Sequence, residues 1–567
     1  MKKKKTTILK LVATAAIAVA ATAPGFAQTN LGASCGCPSV ASRPTVLLST
    51  LAISDGGAND GDLTATNTIL SCDKTYILDK KIYVPDGKII TINPGTVIKG
   101  RIASDPIQAN ALIIERGAKI FASGEPDCQI VMTAEADPMD GSFPIKNKGQ
   151  WGGLVLLGKA TNNLVSGGNA VVPGVGFIEG FLAAQTRNLY GMPVGTNDDN
   201  DNSGILRYLS VRFAGAVLPP GNGNELNGIS FGSVGRGTTV DHVEVIAAAD
   251  DNMEFFGGTV NIKNCTFMFG NDDMFDWDLG YSGKVQFVFG IKSSTLDTAV
   301  TSPDSDNGFE ADADDSKSNA YPRSHPIIYN CTMIGNNKRI ETADNTGMAA
   351  IMGKELTEGE IYNSVFANFM CGLNLWKDAY GRVATTDAAG HPLAEAYDNW
   401  INSDLIVKNN TFVGMAQALT LNVTKNPNGL FSGPGNTTAA GINTLPSASD
   451  LTKFASDGNL TPASIPGFTY VWAMDGNTNA VTTQFDATPD PSLTSSLTAP
   501  SDGFFTPVSY RGAFESGKPS WMSLWSYGVL LQNTGGMAPC PTDINGDGKT
   551  DNTDFLQLLG QFNKSCH

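Results

Sequence analysis

A six-residue pattern that returns along the middle of the chain limits the fold more than any other feature. Ile262-Lys263-Asn264-Cys265-Thr266-Phe267 recurs as Ile328-Tyr329-Asn330-Cys331-Thr332-Met333. It returns again as Ile361-Tyr362-Asn363-Ser364-Val365-Phe366 and Val407-Lys408-Asn409-Asn410-Thr411-Phe412. Related strands without the asparagine lie at 209–213, 240–245 and 285–289, and the starts at 240, 262 and 285 are 22 and 23 residues apart. That interval is about one turn of a solenoid. Each coil offers an apolar face that only its neighbours can cover, so the coils should stack at roughly 4.8 Å over a continuous core. Asparagine at one register predicts a ladder of side-chain amides. Cys265 and Cys331 share a motif position, but the strand at 285 should fall between them and hold their β-carbons about 9–10 Å apart, where a disulfide needs about 4 Å. They read as packed thiols.

Shorter runs of the same character start at Thr75-Tyr76-Ile77-Leu78 and continue through Lys81-Ile82-Tyr83-Val84 and Lys88-Ile89-Ile90-Thr91-Ile92, parted by turn residues. With 62 glycines in 567 residues and 16% charged residues, the composition suits many short strands with glycine at the corners. The expected class is all-β, a β-solenoid. Shifts in composition mark 28–71 as a linker, 72–430 as the β-helix and 431–505 as a loosely ordered insertion or cap. Residues 506–530 read as a terminal segment whose Trp521 and Trp525 close the open end of the stack.

The chain starts Met-Lys-Lys-Lys-Lys, runs through an apolar stretch from 8 to 21 and reaches Ala27-Gln28. This is the pattern of a signal peptide, 1–27, cleaved near Ala27. Its removal takes five lysines, leaving 33 basic against 55 acidic residues, a charge of −22. Such a chain repels nucleic acid and anionic membrane and favours cations such as calcium. Beyond 1–27 no segment is apolar enough to span a bilayer. Export permits disulfides among Cys35, Cys37, Cys72, Cys128, Cys265, Cys331, Cys371, Cys540 and Cys566, although nine is an odd number. Cys540 with Cys566 is the best pair, bracketing one short module; spacing does not assign the others.

Five stretches carry a family resemblance: 92–100 (Ile-Asn-Pro-Gly-Thr-Val-Ile-Lys-Gly), 150–158 (Gln-Trp-Gly-Gly-Leu-Val-Leu-Leu-Gly), 254–260 (Glu-Phe-Phe-Gly-Gly-Thr-Val), Tyr281-Ser282-Gly283 and Tyr510-Arg511-Gly512-Ala513-Phe514. Over roughly 75–525 the chain resembles secreted Bacteroidetes-type proteins that look like right-handed parallel β-helices of the pectin-lyase-like class. The resemblance implies the hand of the helix and an extracellular or cell-surface location on a Gram-negative bacterium. It implies no activity.

The segment 536–567 is a separate module. Asp543, Asn545, Asp547, Asp551 and Asp554 stand at positions 1, 3, 5, 9 and 12 of a calcium loop, with Gly548 at the sharp turn and the Lys549 carbonyl at position 7. Asp554 replaces the usual bidentate Glu and Thr550 the usual apolar residue, and both changes weaken binding. A short amphipathic helix at 555–562 follows. The module resembles half of a dockerin, with a Cys540–Cys566 bridge in place of the second loop, and implies calcium as cofactor.

Three acidic groups recur at solenoid spacing: Asp250, Asp251 and Glu254; Asp272, Asp273, Asp276 and Asp278; Asp306, Glu310 and Asp312. Stacked in register, they make an acidic edge that binds calcium, acts as a hydrolase or lyase site, or stays solvated. Of the histidines only His242, in Val240-Asp241-His242, suggests catalysis, and it reads better as an outward turn residue. Asp198-Asp199-Asn200-Asp201-Asn202 reads as a solvated turn. The expectation is therefore an exported, non-catalytic β-helix that binds a surface polysaccharide or a surface or scaffold protein. The alternatives are a polysaccharide lyase or glycoside hydrolase using the acidic edge, or a structural surface-layer protein. An enzyme requires a basic residue or second carboxylate converging on that edge.

Overall fold

Three short strands per coil, parted by turns, build the body. A computed structural model describes residues 35–527 apart from 55–59, 105–108, 140–141, 166–169, 182–185, 219–224, 294–306, 314–319, 337–348, 370, 376–394, 416–432, 436–441, 445–446, 466–468, 475–479, 487–492 and 523–524. The signal segment, Asp306, the loop at 543–554 and the Cys540–Cys566 pair lie outside the described residues.

Face 1 is a ten-stranded sheet running from Asp60–Asp62 through Met253–Phe256, Phe275–Asp278 and Phe309–Ala311 to Cys371–Leu375. A seventeen-stranded sheet bends around a corner to make faces 2 and 3. In the first coils these faces are separate strands, such as Ile89–Ile92 and Val97–Gly100. In the middle coils one strand serves both, as in Gly204–Arg212, Thr239–Ile246, Asn261–Met268 and Lys284–Ile291. Neighbouring coils pair in parallel, with Val240 beside Ile262 and Ile262 beside Val285. The chain is a right-handed parallel β-helix, and the starts at 240, 262 and 285 are three successive rungs. Phe231, Phe255 and Phe275 stack in its core at 4.8 and 4.7 Å between ring centroids. Cys265 and Cys331 are buried free thiols, with Val288 beside Cys265 in the intervening coil.

The recurring asparagine has a different cause from an amide ladder. Tyr208, His242, Asn264, Phe287, Asn330, Asn363 and Asn409 all sit at the corner between faces 2 and 3 with φ from 45° to 57°. This left-handed bend turns the strand, and asparagine tolerates it better than most residues. The amides of Asn330 and Asn363 point outward and donate to the carbonyls of Tyr510 (2.8 Å) and Leu497 (2.6 Å).

Both ends differ from the expected limits. Part of the supposed linker is the first coil: Thr45–Leu47 pairs with Thr75–Leu78, Asp60–Asp62 with Lys81–Val84 and Asn67–Leu70 with Ile89–Ile92. These strands are short and polar on the solvent side, so they carry no apolar repeat. Disulfides Cys35–Cys128 and Cys37–Cys72 fasten the segment before them. At the other end Phe454, on the helix Ala448–Ser456, packs on Phe412 at 5.2 Å and covers the last coil. Trp521 and Trp525 do not close that end. The described residues within 493–527 form a strap that returns along the corner and face 3, where Ala513, Phe514, Met522 and Tyr527 cover Phe213, Met268, Phe289 and Val365.

Candidate functional site

Successive side chains of a strand point to opposite sides, so alternate residues of face 1 look outward. In Met253–Phe256 the core takes Met253 and Phe255 and leaves Glu254 outside. The equivalent positions on the next two coils are Asp276 and Glu310, in direct register. The turns leading into the first two strands add Asp250, Asp251 and Asp272. Carboxylate oxygens of Asp250, Asp251 and Asp272 lie within 4.8 Å of one another, as do those of Asp251, Glu254 and Asp276. Asp251 belongs to both groups.

The cluster is not a solvated edge. Asp250, Asp251 and Glu254 are buried, while Asp272, Asp276, Glu310 and Asp312 are half-buried. Phe181, Tyr190, Leu218 and Leu226 pack on the outward residues Val155, Leu157 and Phe256 of the same face and wall its N-terminal side. Burial first, and neighbouring carboxylates second, push Asp250, Asp251, Glu254 and Asp276 well above the usual carboxylate range. Asp272 rises to about 6 through burial and the charge of Glu310. Glu179, from a flanking turn, and Glu225, from the short strand Glu225–Leu226, add to the negative field on Asp250.

The hydrogen bonds leave some of these oxygens spare. Asp251 accepts the Asp273 N–H at 2.7 Å, and Glu254 accepts from the Asn227 amide. The Asp250 carboxylate, in a residue 8% exposed, accepts no hydrogen bond from the described residues. Oδ1 of Asp276 is likewise buried without a partner. On the third coil Lys354 pairs with Glu310 and lies 3.2 Å from Asp312. Burial opposes both charges, but the pairing outweighs it, bringing Glu310 below its usual range and Lys354 well above. Lys292 donates to the main-chain carbonyl of Asp272.

The other acidic positions do structural work. Asp273 is fully buried and accepts the N–H of Asn307 in the next coil, and Asp278 accepts the Leu279 N–H. In the acidic turn, Asp199 and Asp201 accept the main-chain N–H groups of Thr161 and Lys159, fastening one loop to another. His242 stands at the far corner, its ring 4.5 Å from Tyr208 and 5.8 Å from Trp525, with Asp241 on its Nδ1 at 2.9 Å. It has no part in the face 1 cluster.

Sequence reasoning missed Glu179, Glu225, Lys292 and Lys354. The first two come from a turn and a short antiparallel strand outside the coil register. Lys354 was concealed because a long insertion separates Phe309–Ala311 from Ala349–Gly353, so the repeat interval no longer shows which residues are neighbours.

Residues 61–450 match the family model of the pectate-lyase like beta helix domain. The chain belongs to that family. No curated protein and no solved structure matches it. For this pectate-lyase-like β-helix the match fixes the architecture and leaves the chemistry to the site. The two disulfides among the described residues are compatible with an extracellular protein. Among the described residues no helix is long and apolar enough to cross a membrane. The donor set on face 1 is all carboxylate oxygen, which suits calcium or magnesium rather than a softer metal. Five carboxylates crowded out of water fit such an ion: a divalent cation would offset their repulsion and take the spare oxygens of Asp250 and Asp276.

Proposed function

We propose that the protein is an exported, non-catalytic β-helix that holds a divalent cation on face 1 and through it binds an acidic polysaccharide. The observation that carries this reading is Oδ1 of Asp276, buried without a hydrogen-bond partner beside the like charges of Asp251 and Glu254. Asp250, Asp251, Asp272, Glu254 and Asp276 would ligate, and the cation would use its open positions for sugar carboxylates. Lys354 does converge on the acidic face, but as a protonated partner of Glu310 and Asp312 it is not poised as a base for β-elimination. The loop at 543–554 is a second, weaker calcium site that assists attachment or docking, a role supported by its ligand spacing alone.

Calorimetry on the whole protein tests the reading. In an Asp543→Ala background, which silences the loop, calcium should release or absorb heat, and Asp250→Asn with Asp251→Asn should abolish it. Polygalacturonate should then bind in calcium and not in chelator. Equal binding in both conditions defeats the cation bridge. Shortened polymer with new chain ends would make the protein an enzyme instead.

A further inference from the structure

The carboxylate column on face 1 continues past Asp276. Glu310 extends it to the third coil, and the next two outward positions in register, Met352 and Asn374, carry no charge. The third rung differs from the first two in what balances it. Lys354 leaves the end of Ala349–Gly353 and brings its ammonium group onto Glu310, 3.2 Å from Oδ2 of Asp312. These side chains are 24%, 18% and 14% exposed, so all three are largely withdrawn from water. The other oxygen of Asp312 is buried and accepts no hydrogen bond.

We infer that Lys354 is a built-in counter-ion, its ammonium doing at the third rung what a divalent cation does at the first two. It thereby sets how many ions face 1 accepts. The inference rests on the cation reading of face 1. Lysine suits the part because its charge is compact and point-like, closer to a metal ion than the planar fork of arginine. Without it, Glu310 and Asp312 become half-buried like charges beside Asp276, which must take a proton or recruit a cation.

The test is Lys354→Met in the full chain carrying Asp543→Ala, with bound calcium counted by equilibrium dialysis against the Asp543→Ala parent. The count should rise by one ion per chain, and calcium should raise the melting temperature more than in the parent. A folded variant with an unchanged count overturns the inference. So does a variant that stays unfolded in millimolar calcium, since a cation then fails to replace the ammonium. Lys354→Met with Glu310→Gln and Asp312→Asn removes the rung's charges together and should bind the parent's number. A parent that binds no ion on face 1 sinks the functional reading separately. In that case a gain of one ion in Lys354→Met still supports the counter-ion, and no gain removes both.

Discussion

At the scale of single residues, backbone angle explains more of the repeat than side-chain chemistry does. Asn264, at φ 55°, stands at the corner occupied elsewhere by Tyr208, His242 and Phe287. The corner is set by the stack, and asparagine only makes it easier to adopt. The left-handed region costs an ordinary residue about 1–2 kcal/mol, and a β-branched one stands at the upper end. Asn264 makes no side-chain hydrogen bond to the described residues and is half-buried, so it isolates the backbone contribution. Asn264→Val should lower unfolding free energy by about 1–2 kcal/mol, with Asn264→Gly within a few tenths. Denaturant titration of both variants checks this; equal losses would mean that the asparagine acts through its amide after all. The repeated letter was legible in the sequence, but its reason was not. A sequence pattern shows which residue recurs, and φ emerges only when the coils are stacked.

Among the elements, the strap at 493–527 is the least legible and the most consequential for stability. Its aromatic residues suggested a plug for the end of the stack. The course it takes depends on single partners scattered over the body: Gln286 with Thr506, Asn330 with Tyr510, and Gln129 with the Trp525 carbonyl at 2.8 Å. No periodicity links these positions, so the path could not be read. The strap fastens on Glu244, fully buried, whose carboxylate accepts the Tyr527 N–H at 2.8 Å and the Ser526 hydroxyl at 2.6 Å. Arg212 lies 4.0 Å from the same carboxylate with its guanidinium 3.8 Å from the centre of the Tyr527 ring. Removing one partner of a buried pair leaves the other charge uncompensated, at a cost of about 3–5 kcal/mol. Glu244→Ala should lose stability of that order. Limited proteolysis should also cut it first at the 525–527 end of the strap, ahead of the coils. That end is then left with the Gln129–Trp525 hydrogen bond and ring contacts to Tyr208, His242 and Arg212, while Arg511, Gly512 and Ala513 stay hydrogen-bonded to the coils. Cleavage that begins in the coils would show that the strap is not a separate unit.

For the whole molecule, the strand alternation and coil interval were legible because each coil must repeat the same apolar positions to share one core. The acidic groups at the same interval were visible for that reason. Their burial was not, since it depends on loops and apolar walls that the repeat does not encode. That burial gives the protein an unusual response to pH. Asp272, near 6, and Asp250, Asp251, Glu254 and Asp276, held well above the usual range, bind protons in the folded state that the unfolded chain releases near pH 4. Groups raised in this way contribute stability that is complete below the unfolded value and is lost as pH rises through the folded one. Glu310 works in the opposite sense, contributing above pH about 4, as do Asp73, Glu135, Asp241, Glu360 and Asp502 elsewhere. On face 1, where Asp312 is raised too, it is one group against six, and the six are more deeply buried than those elsewhere. In chelator the melting temperature should therefore fall between pH 4 and 7. A divalent cation takes the place of the protons, so calcium should restore the loss at pH 7 and do little at pH 4. Scanning calorimetry on the Asp543→Ala chain, at pH 4, 5, 6 and 7 with and without calcium, makes the comparison. Asp250→Asn with Asp276→Asn should flatten the profile in chelator and shrink the calcium response together. If the variant flattens the first and leaves the second intact, proton release and cation binding occur at different places, and face 1 is not the cation site.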